Sequence, residues 1–210
     1  MTLKVDADMD SDLSPKALLG EKSLWDIYLK SRRIRFNRFN FWSSLLVLVL
    51  MVAQYCVIAD PIGVKLVTVR EYAEMFLGVS VTVLGFLLAG FTIFATISQP
   101  ELLVVMSMHR HATSGLSFLK HNFFIFMRVF IYYLVYAVLC FLVLILGREG
   151  GVVHKVLALS PIAQSLYEWL VGAAYVMLTA GFFFLLMQLK SFIFNVYHSV
   201  MTAVRWKADV

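Results

Sequence analysis

The sequence predicts an all-α integral membrane protein with four spanning helices, both termini in the cytoplasm and the last helix extended into the cytoplasm. Three observations carry that prediction. First, 61% of the 210 residues are hydrophobic and 15% are charged, against about 45–50% and about 25% in soluble domains. Second, the apolar residues cluster in four segments, 41–59, 76–97, 129–146 and 169–189, none holding Asp, Glu, Lys or Arg. Each has roughly the 17–25 residues that a spanning helix needs. Third, fourteen Lys and Arg lie in residues 1–40, 99–128 and 190–210, and four in residues 60–75 and 147–168. The positive-inside rule then places both termini and the middle loop in the cytoplasm. The net charge of +5 is this topology signal plus attraction to anionic lipid.

Residues 1–22, which include "MTLKVDADMDSDL", read as a disordered acidic tail with no apolar period. Residues 23–40 read as a basic amphipathic interfacial helix. Ser23 with Asp26 makes an N-cap arrangement, and Leu24, Ile27, Tyr28 and Ser31 share one face. Arg32, Arg33, Arg35 and Arg38 follow, interleaved with Phe36, Phe39, Phe41 and Trp42. Such a mixture can bind single-stranded nucleic acid. Directly before a span it reads as a membrane contact, with the four arginines on anionic head groups. The first apolar run begins near residue 41, so no cleavable signal pattern is present and the first span is an uncleaved anchor. Residues 41–210 form the four-helix membrane domain.

The first outer loop opens on the turn residues Asp60, Pro61 and Gly63, and "VKLVTV" could pair briefly as a strand. The second opens on "GREGG" and ends at Ser160-Pro161, an N-cap followed by proline at the first helical position. From there a helix runs to about Trp206, with Ile193, Tyr197, Val200 and Val204 as an apolar stripe on its cytoplasmic part. In the middle loop, Ser98, Pro100 and Glu101 open a short helix, and "TSG" at 113–115 breaks it. Arg128, at the start of the third span, is expected to snorkel to the head groups. His109, Arg110, His111 and Lys120 make a basic cytoplasmic surface for a soluble partner. The two-residue spacing of His109 and His111 turns the imidazoles apart, and no Cys or acidic cluster completes a site, so no metal is expected.

The second span holds the most informative pattern. Gly78, Thr82, Gly85, Ala89, Thr92 and Thr96 recur at alternating spacings of four and three, one narrow stripe on a helix. Small residues mark helix contact faces in membranes. Three readings stay open: packing inside one four-helix bundle, contact between copies of the chain, or a wet pathway lined by the threonines. Leu84, Leu87, Phe91 and Phe94 lie opposite and suit lipid or larger grooves, with Ser80 as the exception there. Pores carry rings of charge or repeated polar positions, and this span has no ionisable group.

No nucleophile, base and orienting group come together, and no phosphate loop or zinc pattern occurs, so neither enzyme activity nor a cofactor is expected. Cys56 and Cys140 form no disulfide framework. Four spans with short loops leave a scaffold, sensor or anchor that acts through oligomers and a partner.

The acidic tail, the lead "KSRRIRFNRFNFW", the span "LGFLLAGFTIFATISQPE", the cytoplasmic loop and the long last helix together form an arrangement that covers most of the chain. It resembles the small four-span membrane subunit of the Kiwa anti-phage defence system of bacteria. The resemblance implies an inner-membrane homo-oligomer, a tetramer, that senses phage attack and works with a soluble, DNA-binding partner in the cytoplasm. The chain itself is expected to contact membrane lipid and not nucleic acid. The resemblance carries over no site residue. The alternative is a small ion channel or membrane-depolarising effector.

Overall fold

The computed structural model describes residues 20–97, 100–148, 150–151 and 161–208. They form six helices: α1 Leu24–Ser31, α2 Arg38–Val57, α3 Ile62–Ile97, α4 Pro100–Met108, α5 Phe118–Leu146 and α6 Pro161–Ala208. Four of them, α2, α3, α5 and α6, are long and apolar enough to cross a membrane. The chain is thus an all-helical, multi-pass membrane protein. The tail at 1–19, Ser98 and Ser160 lie outside the described residues.

The helices are longer than the apolar runs. The stretch "VKLVTV" is not a strand: α3 starts at Ile62 and takes in all of the expected outer loop after Asp60 and Pro61. Leu66, Val69, Ala73, Phe76 and Ser80 are buried, and their spacing of three and four is that of a helix. The charged residues between them lie on other faces. The expected interfacial helix over 23–40 is divided. Ser23 caps α1 by accepting from the Asp26 amide at 3.1 Å, and the helix ends at Ser31. Asn37 then caps α2, its side-chain oxygen accepting from Phe39 N–H at 2.9 Å. A capping side chain satisfies an otherwise orphaned amide, so the chain re-enters a helix at Arg38. Helix α6 has 48 residues, about 70 Å at 1.5 Å per residue.

Two compact units divide the chain, and α3, α5 and α6 contribute to both. One takes in the described residues to 36, 86–131 and from 189; the other takes in 37–85 and 132–188. In the second unit, Phe76 of α3 stacks on Phe182 of α6 with centroids 4.3 Å apart and planes 13° apart. Tyr133 and Tyr136 of α5 donate to the carbonyls of Leu185 (3.3 Å) and Leu178 (2.6 Å) of α6. Asn40 of α2 donates to the Met187 carbonyl at 2.8 Å. These carbonyls are helical acceptors with a second lone pair to offer, so polar side chains hold apolar helices together without breaking a backbone bond. In the first unit, Phe91 of α3 meets Phe123 and Phe126 of α5, and Phe126 meets Phe192 of α6 edge-on.

Removing one hydroxyl tests the second unit. Tyr136→Phe should lower stability by about 0.6–1.7 kcal/mol, read as a drop in unfolding temperature in detergent.

Candidate functional site

A reversal between α4 and α5 builds a recess in the first unit. Arg110 and Ser117 bridge across it, His111 N–H donates to Leu116 O at 2.7 Å, and Phe118 N–H donates to His109 O at 2.9 Å. Gly115 closes the turn at φ +70°, a left-handed conformation that costs glycine nothing. The turn carries His111 back over α5. There its ring stacks on His121, 3.7 Å between centroids and 6° between planes. The Nδ1 atoms face hydroxyls: Thr113 Oγ1 lies 3.0 Å from that of His111, and Ser114 Oγ 2.9 Å from that of His121. Burial pushes the His111 imidazole below its ordinary value near 6.5. A face-to-face pair so close suits neutral rings, since two cations would repel across it.

The stack lines a cavity of about 470 Å³, together with His109, His198, Asn195 and the apolar residues Leu102, Val105 and Ile125. Four imidazoles therefore converge from α5, α6 and the turn after α4. Among the described residues, no group of three or more His, Cys, Asp or Glu side chains is placed to hold a metal ion.

Beside this turn, the N-terminal segment is strapped to α5. Lys120 Nζ lies 2.8 Å from Glu21 Oε1, and Lys30 Nζ lies 2.7 Å from the same oxygen. Burial raises the Glu21 carboxyl, but hydrogen bonds and charge from Lys120 and Lys30 outweigh it, and the net shift is downward from 4.5. Arg128 donates to the carbonyls of Ser31 (3.3 Å) and Ile34 (3.0 Å), and its guanidinium sits 4.9 Å from the Phe36 ring centre. Ile34 packs with Leu116, Phe124 and Ile125.

Several expected site residues move in consequence. Arg128 does not snorkel: it is 7% exposed and serves as the anchor of the segment after α1. Lys120 is not a partner surface, since it is buried on Glu21. Residues 20–22 are not free tail, because Glu21 is the acceptor of that ion pair. His109 is exposed, while Arg110 and His111 are half-buried. The four arginines Arg32, Arg33, Arg35 and Arg38 are all exposed. On α6, Ile193, Tyr197, Val200 and Val204 are all exposed too.

The small stripe lies outside. Gly78, Thr82, Gly85, Ala89, Thr92 and Thr96 are each exposed, and a Cβ added at Gly78 or Gly85 would meet nothing within 4 Å. The reading that the stripe packs within one chain is corrected accordingly. The opposite face is the buried one: Leu87 is 6% exposed, and Ser80, the apparent exception, is fully buried. Thr82, Thr92 and Thr96 donate to carbonyls of their own helix, Gly78, Leu88 and Thr92, at 2.9–3.0 Å.

Spacing alone did not mark Glu21, Arg128, His121 or His198 as site residues. Their partners lie on other elements, and only the helix N-cap at Ser23 hinted that the segment before α1 is ordered. No protein-family model, curated protein or solved structure matches this chain.

Acid should release the strap. Glu21 titrates below its ordinary value, so its ion pair stabilises above that value and loses its contribution as pH falls below about 4.5. Amide exchange of residues 24–36 should therefore quicken on acidification. Glu21→Gln should speed it at neutral pH by weakening the ion pair, at about 1–3 kcal/mol. Unchanged exchange in that variant would contradict the strap.

Proposed function

We propose that this chain is a sensor or scaffold subunit of a bacterial inner membrane, with both termini in the cytoplasm, that assembles into a homo-oligomer and regulates a soluble partner. The observation that carries the reading is the exposed small stripe of α3. A continuous row of small residues lets two helix backbones approach closely. Its hydroxyls are bonded within their own helix, so the face needs no water. The exposed arginines after α1 suit anionic head groups on the cytoplasmic side. The partner surface then comprises His109, Arg110 and His111 with the exposed stripe Ile193, Tyr197, Val200 and Val204. A tetramer, a DNA-binding partner and a role in anti-phage defence come from the resemblance to the Kiwa membrane subunit and rest on it alone.

Gly85→Leu tests the assembly. The variant should insert normally, because leucine favours the bilayer. Crowding the contact should cost about 1–3 kcal/mol, and the particle should run at lower mass in mild detergent. An intact assembly would overturn the contact. For orientation, a reporter that works only in the cytoplasm should be active after Val210 and silent after Gly151; the opposite pattern would invert the topology.

A further inference from the structure

A groove of about 620 Å³ opens in the second unit, between the last turns of α2, the first turn of α3 and residues 168–177 of α6. Tyr55 organises it. Its hydroxyl donates to the Glu168 carbonyl at 3.3 Å, and its ring lies against Gly172, where a Cβ would come within 2.7 Å. Only glycine admits the ring at that depth. Lys65 Nζ sits over the same ring, 4.5 Å from its centre. Tyr55 thus sits between Lys65 and the main chain at Glu168, and both charged residues line the groove.

The two charges are left for something else. Neither Lys65 nor Glu168 makes an ion pair among the described residues. Glu168 is exposed and Lys65 half-buried. Trp169, next to Glu168 in the lining, is 77% exposed, as is common at the level of lipid head groups. Away from the mouth the walls are apolar, with Val52 of α2 facing Val176 and Met177 of α6. Both walls belong to helices that cross the membrane, so hydrocarbon chains are the surrounding solvent.

We propose that this groove binds one bilayer phospholipid whose head group carries both a phosphate and an amine, with the phosphate on Lys65, the ammonium on Glu168 and an acyl chain along the Val52–Val176 wall. The pairing decides the class. A head group with phosphate alone would meet Lys65 but be repelled by Glu168. A zwitterionic one satisfies both charges and leaves the site neutral. The site differs in kind from the arginine cluster at the start of α2, on the order of 25 Å along that helix from Tyr55, where positive charge alone selects anionic lipid.

The test is native mass spectrometry of the full chain in detergent, titrated with phosphatidylethanolamine or phosphatidylglycerol. The wild type should retain the first at least twofold over the second, up to about fivefold, as expected of partly exposed charge pairs. Glu168→Gln should erase that preference without reducing phosphatidylglycerol. Lys65→Gln should weaken both. Ala173→Phe, which fills the groove, should release both; each variant is compared at an unchanged unfolding temperature in detergent alone. Equal retention of the two lipids by the wild type overturns the proposal with no variant needed. So does a persistent preference in Glu168→Gln. Competition by free glycerophosphoethanolamine at equal concentration would show a soluble ligand instead and overturn the assignment to lipid.

Discussion

A helix can turn a given face inward only once, and α3 shows the consequence. Val69, Ala73, Phe76, Ser80 and Leu87 are buried, and nine residues after each comes Gly78, Thr82, Gly85, Ala89 or Thr96, all exposed. Nine residues are two and a half turns, so each small residue lies diametrically opposite a buried one. The contact that fixes this orientation in the second unit is the stack of Phe76 on Phe182. Once the large face is committed to its own chain, the small face must meet lipid or another helix.

The buried tyrosines, Asn40 and the stripe threonines follow the same logic. Hydrocarbon offers no hydrogen bonds, so a hydroxyl or amide inside it needs a partner in the protein. Tyr133, Tyr136 and Asn40 find theirs on carbonyls of α6, and the stripe threonines find theirs one turn back. The first group ties helices of one chain together. The second makes a face that is polar in composition yet satisfied, suited to close approach rather than to conducting water.

The spans were legible because a bilayer demands uninterrupted apolar length. Their ends were not. Lys65, Arg70, Glu71 and Glu74 broke the apolar run, so residues 62–75 read as a loop, although Leu66, Val69 and Ala73 already carried the helical period. Charge count placed Lys120 and Arg128 at a surface. Their partners, Glu21 and the Ser31 and Ile34 carbonyls, are roughly a hundred residues away in sequence, and no spacing rule reaches that far. The histidine stack likewise depends on one left-handed glycine in the turn. For the stripe, periodicity defined two faces but not which was inward, because small residues pack well against either a neighbour within the chain or one outside it.

Cross-linking in native membranes measures directly which face of α3 meets another copy. In a chain whose Cys56 and Cys140 are replaced by serine, one cysteine is introduced at Ala89 or at Val69, and an oxidant is added. Dimers are expected through Ala89→Cys and none through Val69→Cys. Dimers through Val69→Cys, or none through any position of the small stripe, would contradict this expectation.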